Sequence, residues 1–156
     1  MTSGKRSRFL AWPLACGIAL GLTGCGGPVE DTRPGQPVKT RQEAFKAMLR
    51  SFEPMGVMLR TDTYDAEKFA RHAAELMQWR DTPWPLFGPD THYPPSKAKA
   101  TVWSQTEAFE RERQAFVAAL DELAAAVQRG EREAVRKAYF RVYDLCESCH
   151  KDFKER

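Results

Sequence analysis

Five residues close to the end of this 156-residue chain, Cys146-Glu147-Ser148-Cys149-His150, constrain its fold more than any other feature. Upstream of them Val135, Tyr139 and Val142 recur at spacings of three and four, and Phe153 continues the series beyond the motif. That is one face of a helix running from Glu131 towards Lys154. Cys146 and Cys149 fall on the same stripe. His150, four residues after Cys146, projects from nearly the same face. Whatever these side chains hold is therefore expected against the interior of a helical protein.

The chemistry of a CxxCH sequence is specific. Two thiols can add to the two vinyl groups of haem, and the adjacent histidine supplies an imidazole to the iron. Other readings compete. A zinc site wants four ligands, and only His72 and His92 remain to complete one. A thioredoxin-like pair belongs beside a strand-helix unit, and no stretch here shows sustained strand alternation. A disulfide across two helical residues would be strained. One covalently attached haem c is the expectation, with Cys146 and Cys149 as its attachment points and His150 as the metal ligand.

Export suits that reading, because c-type haem attachment takes place outside the bacterial cytoplasm. Lys5, Arg6 and Arg8 precede an apolar run from Phe9 to Leu22, which ends at Leu22-Thr23-Gly24-Cys25. A basic start, a short apolar run and small residues make a secretory signal over residues 1–24. The run is too short for a comfortable span, which needs ~20 apolar residues. Its ending resembles the bacterial lipobox, in which Cys25 is acylated and becomes the first mature residue; an ordinary cleaved signal with a chance cysteine is the alternative. Gly26 is not the aspartate that retains such lipoproteins at the inner membrane, so an outer-membrane anchor facing the periplasm is expected. Residues 25–37, rich in glycine and proline, read as lipidated cysteine and flexible tether. The domain proper is expected over 38–156.

Four amphipathic segments fill that domain. Phe45, Met48, Phe52, Met55 and Leu59 mark a first helix from Thr40, with Pro54 as a candidate kink. A second runs from about Asp65 to Trp79 through Phe69, Ala73 and Leu76. Five prolines and a glycine between Asp81 and Val102 leave no room for a helix. The third helix runs from about Ser104 to Arg129, where Gly130 stops it. With the motif helix as the fourth, the fold class is all-α, an antiparallel four-helix bundle with a long crossover between its second and third helices.

Charge removes one class of function. The chain carries 24 Lys and Arg against 21 Asp and Glu, but three of the bases lie in the signal segment, and the remainder is balanced at 21 against 21. Nucleic-acid binding loses its usual electrostatic footing. Hydrophobic residues at 42% and charged ones at 29% also argue against wholesale disorder and a multi-span membrane protein.

A haem-attachment motif at the very end of a four-helix bundle resembles the cytochrome c′ family, a class of c-type cytochromes. The likeness covers about Thr40 to Lys154. Its motifs recur in order: Arg41-Gln42 followed by Phe45 and Met48; Pro83-Trp84 with Phe87-Gly88-Pro89; Trp103 at the start of the third helix; then CxxCH. The resemblance implies that Arg41 and Gln42 lie near a haem propionate, that Trp84 and Phe87 wall the pocket, and that Phe45 faces the vacant side of the iron. A charge prolonging the apolar stripe at Arg41 wants an anion, which a propionate supplies; an outward-fraying Arg41 is the alternative. Low-spin relatives carry a ligating methionine instead, for which Met48 is the candidate here; Met55 and Met58 read as packing. Lys154 is either a basic neighbour of the proximal face or a solvated terminal lysine. His72 is expected to be satisfied or exposed, and His92 to be surface. The Gly88–Pro95 loop departs from the family's glycine-rich version, so its haem contacts are not carried over.

The function implied is a five-coordinate, high-spin haem that binds nitric oxide or carbon monoxide and can pass one electron. The alternative is a low-spin carrier with Met48 as sixth ligand. An enzyme is not expected, since no acid-base pair faces the vacant side, although a weak peroxidase activity is not excluded; a purely structural haem is a further alternative. Relatives commonly form homodimers through the first two helices, whose outward sides here include Glu43, Lys46, Arg50, Lys68, Arg71 and Glu75. The redox partner is left open.

Overall fold

The computed structural model describes residue 1 and residues 29–156. The expected signal segment and Cys25 lie outside the described residues. Five helices follow in order: α1 (Pro37–Arg60), α2 (Ala66–Trp79), the single turn α3 (Thr101–Ser104), α4 (Thr106–Arg129) and α5 (Arg132–Phe153). Among the described residues there is no strand, and no helix is long and apolar enough to cross a membrane.

Local chemistry sets most of these boundaries. Asp65 caps α2 by accepting from the Lys68 N–H at 2.9 Å. Gly130, at φ 71°, takes the left-handed position that closes α4 and donates to the Val127 carbonyl at 3.0 Å. Helix α1 has Pro37 in its first turn and runs unbroken through Pro54, so the expected kink site does not divide it. Its N-terminus is capped from a distance. The buried Asp31 accepts from the N–H groups of Val38 (2.9 Å), Lys39 (3.1 Å) and Arg33 (3.2 Å), and from Tyr93 Oη at 2.8 Å. Burial alone would raise this carboxyl, but the four hydrogen bonds hold it below the ordinary value. The chain is thus docked from Asp31 onwards, and the last residues of the expected tether belong to the folded domain.

α1, α2, α4 and α5 form the antiparallel bundle, with α1 on α2, α4 on α5, and α2 against α4. Met55, Phe69, Leu76, Leu120, Leu123, Val135, Tyr139 and Val142 fill its core, each large apolar side chain contributing roughly 1.5–3 kcal/mol by its burial. Tyr139 stacks on Phe52 with ring centroids 4.2 Å apart. Its ring also lies against Gly56, where a Cβ would fall 2.8 Å from Tyr139 Cζ. At the end formed by the two short turns, Arg132 pairs with Asp62.

The crossover between α2 and α4 occupies the opposite end and is more ordered than a proline-rich loop suggests. It contains a 3₁₀ turn, Trp84–Leu86, and then α3, which holds Trp103 and is separated from α4 at Gln105. Trp103 therefore precedes the third bundle helix instead of opening it. Further on, Ala98 and Lys154 form an antiparallel bridge. Lys99 N–H donates to Phe153 O (2.9 Å) and Glu155 N–H to Lys97 O (2.7 Å). The Thr101 hydroxyl and Lys99 Nζ take the carbonyls of Asp152 (2.8 Å) and Lys151 (2.7 Å). The crossover thereby satisfies the C-terminal carbonyls that α5 cannot pair within itself.

Candidate functional site

Cys146 and Cys149 are unjoined thiols on α5, both half-buried. Burial first, then Cys149 and Glu147, pushes the Cys146 thiol up to about 12. Burial, then Glu112 and Asp152, pushes Cys149 up to about 11. Both are therefore neutral S–H groups at neutral pH. Val135, Tyr139, Val142 and Phe153 are buried as the stripe requires, but His150 is exposed. At about 100° per residue it lies about 40° round the helix from Cys146, on the other side from Cys149. Local desolvation holds its pKa below the ordinary value; Lys154 adds to the shift and Glu147 opposes it.

Arg41, on the first turns of α1, is 3% exposed. Its guanidinium is held by the crossover, with Nη1 donating to Leu86 O (2.7 Å) and Thr91 Oγ1 (2.8 Å), and Nη2 to Thr91 O (3.0 Å) and Ser96 Oγ (2.8 Å). Burial lowers its pKa, opposed by Tyr93 and Asp31. The side chain turns inward, as its place on the stripe suggests, and its four Nη bonds end on neutral oxygens of the crossover. Neighbouring Gln42 Nε2 donates to Pro95 O at 2.9 Å.

These bonds seat an aromatic cluster. Phe45 meets Trp84 edge-on at 5.4 Å and Phe87 at 6.3 Å. Phe87 lies under the Arg41 guanidinium at 4.5 Å and packs on Phe109 at 5.0 Å; Phe109 reaches Phe153 of α5 at 5.3 Å. Trp84 and Trp103 donate their indole N–H groups to Arg80 O (2.6 Å) and Gly88 O (2.8 Å). A cleft of about 600 Å³ opens among Trp84, Phe87, Trp103 and Phe109.

Arg41, Phe45, Trp84 and Phe87 are thus brought together, with Gln42 beside them. Cys146 packs on the same core as Phe45 and Trp84, while none of the three motif residues lines the cleft. Met48 is buried in that core, as are Met55 and Met58. His72 is half-buried, its Nδ1 lacking a hydrogen-bond partner and standing 3.5 Å from Glu75 Oε2, so it is neither satisfied nor free. His92 is exposed, as expected, and stacks on Trp103 at 4.7 Å.

Two parts of the site escape the sequence reading. Phe109 sits on α4 with nothing in its spacing to mark it as the link between crossover and α5. Glu112 carries a buried carboxylate oxygen, Oε2, with no hydrogen-bond partner among the described residues, and its charge is felt by Cys149. No motif announces it.

The residues fit a thioether-linked haem: two neutral thiols one helical turn apart, a histidine directly after them, aromatic walls nearby and a buried cation. Comparison with known proteins agrees. Residues 36–154 match the family model described as Cytochrome C'. The chain is 29% identical over 125 residues to cytochrome c' of Alcaligenes xylosoxydans xylosoxydans, covering 80% of this chain and 97% of the relative. It is 30% identical over 126 residues to that of Rubrivivax gelatinosus, covering 80% and 98%. The crystal structure of the Rubrivivax gelatinosus protein superposes with a TM-score of 0.75 at 30% identity, over 81% of this chain and 100% of that one. A nitric oxide complex of a mutant cytochrome c prime from Alcaligenes xylosoxidans gives 0.74 at 29% identity, over 81% and 99%. Such bundles carry a covalently attached c-type haem.

Proposed function

The chain belongs to the cytochrome c′ family, and we propose that it is a lipid-anchored monohaem protein whose iron takes one protein ligand, His150. Cys146 and Cys149 would hold the haem through thioether bonds. The haem supplies an iron that binds a diatomic gas, nitric oxide or carbon monoxide, and that can exchange one electron. Everything else is the work of the chain's own residues. Phe45 has no donor atom, so it would hinder a further ligand's approach to the iron without itself binding it. Trp84 and Phe87 exclude water from that side. Arg41 supplies the buried cation to meet a propionate, and Gln42 secures the crossover beside it.

The observation that carries this reading is the placement of Phe45, edge-on to Trp84 at 5.4 Å and packed on the same core as Cys146. The nitric oxide complex of the Alcaligenes relative supports gas binding here. Met48, the rival ligand, is committed to the core with Phe52 and Met55. Leu22-Thr23-Gly24-Cys25 and Gly26 support a periplasmic protein held to the outer membrane through Cys25. Leu49 and Val57, about half exposed on α1, support a homodimer through α1 and α2.

Visible spectra of the haem-loaded protein test the central point. A high-spin reduced spectrum that shifts with carbon monoxide and nitric oxide is expected. A low-spin reduced spectrum indifferent to carbon monoxide would move the iron's sixth bond to Met48 and make the protein a dedicated electron carrier.

A further inference from the structure

Two buried polar side-chain atoms lack a hydrogen-bond partner among the described residues, His72 Nδ1 and Glu112 Oε2. His72 stands 3.5 Å from Glu75 Oε2, so a polar group is at hand. Glu112 is worse placed. On α4, Ala108 and Phe109 lie one turn before it and Ala115 and Phe116 one turn after, and none of these side chains can donate. The adjacent Arg113 turns to Glu110, its Nε donating to Glu110 Oε2 at 2.7 Å. A buried oxygen left in this way costs free energy, and the polypeptide alone does not satisfy it.

Its surroundings point to the haem site. After burial itself, Glu112 has the largest effect on the Cys149 thiol, ahead of Asp152. Phe109, one turn earlier on α4, links Phe87 of the crossover at 5.0 Å to Phe153 of α5 at 5.3 Å. The free oxygen thus belongs to the corner where the aromatic cluster meets one of the two attachment cysteines. A thioether bond at Cys149 puts the edge of the macrocycle against that sulfur. Haem has no N–H to donate, but it brings charge, since its oxidised form carries one more positive charge than its reduced form. A carboxylate with one oxygen withdrawn from water acts on that charge through a medium that screens far less than bulk water.

We propose that Glu112 is a further residue of the haem site, a carboxylate that from beside Cys149 holds the iron towards its oxidised state. This rests on the haem attachment proposed above. The consequence is selectivity between gases. Carbon monoxide binds reduced iron alone and nitric oxide binds iron in both states, so a carboxylate that favours the oxidised state favours nitric oxide.

The test is a spectroelectrochemical titration of the haem-loaded protein. Glu112→Gln keeps the shape and removes the charge. Its midpoint potential should rise by the equivalent of about tenfold in the one-electron equilibrium, ~59 mV, and Glu112→Asp should stay close to the parent. Exposed Asp152, also felt by Cys149, is the control. Asp152→Asn should shift the potential by about a third of that or less, and high salt should abolish its shift while leaving most of the Glu112→Gln shift in place. An unchanged potential in Glu112→Gln overturns the proposal, and so does a shift that high salt abolishes. Thermal unfolding in both oxidation states separates charge from packing. The oxidised form of Glu112→Gln should lose more stability than the reduced form; equal losses at an unchanged potential would make Glu112 a packing residue and overturn its role. Glu112→Met serves where the amide variant does not load with haem, and failure of both to load also overturns it. The underlying reading is scored on the parent. No covalent haem overturns that reading and this proposal together, whereas a low-spin reduced spectrum overturns only the vacant sixth position, and the potentials then decide on Glu112.

Discussion

The Arg41 guanidinium lies 4.5 Å from the centroid of the Phe87 ring, and its four Nη hydrogen bonds all end on the crossover. One side chain thus ties α1 to the segment that supplies Trp84 and Phe87 to the site. Replacing it by Met keeps bulk but strands the carbonyls of Leu86 and Thr91. The expected cost is about 2–4 kcal/mol, the range for leaving buried polar groups without partners. Denaturant unfolding of Arg41→Met measures it, and proteolysis should cut first within residues 86–96.

Gly56 answers to Tyr139 in the same way. An alanine there gains roughly 0.5–1 kcal/mol in helix propensity, but its methyl meets a tyrosine ring clamped against Phe52. Overpacking of about 1–3 kcal/mol outweighs that gain. Gly56→Ala should therefore lower the thermal midpoint, and Gly56→Ala/Tyr139→Phe should recover part of the loss, because the Oη contact is removed.

Asp31 gives the protein an acid limb. Its folded-state carboxyl is held below the unfolded value, so its contribution is complete above the ordinary carboxylate range. That contribution drains away as pH falls below about 4 through the depressed value. Asp31→Asn should be less stable than the parent at pH 7, and the two thermal midpoints should converge as pH falls below the ordinary carboxylate range.

In the proposed site Phe45 hinders entry without coordinating. Phe45→Ala should accelerate carbon monoxide binding to the reduced haem protein by about tenfold, the equivalent of ~1.4 kcal/mol removed from the entry barrier. Laser-flash rebinding measures this, with the absorption spectrum remaining five-coordinate. An unchanged rate would place Phe45 off the entry path.

How much of this was legible in the chain follows from how local each signal is. The bundle was readable because apolar spacing at three and four is a property of single helices, and Asp65 and Gly130 act within a few residues of themselves. The CxxCH chemistry was readable for the same reason. The register of His150 was readable but its exposure was not, since a stripe defines a centre line and exposure depends on what packs beside it. Asp31 looked like tether because Val38 and Lys39 are turned towards it only by the folded start of α1, and Tyr93 lies far along the chain. Glu112 offered no signal at all: its buried oxygen exists only because α4 and α5 press together there.

The sequence by itself therefore determined the four bundle helices and the thiol-imidazole motif, both of which depend on neighbours within about two helical turns. Only the tertiary structure decided where Arg41 spends its hydrogen bonds and that the proline-rich crossover caps α5 through Ala98 and Lys154. Those facts depend on which distant segments meet, and that is settled by burying a shared core at once, a sum over the whole chain that no local pattern contains.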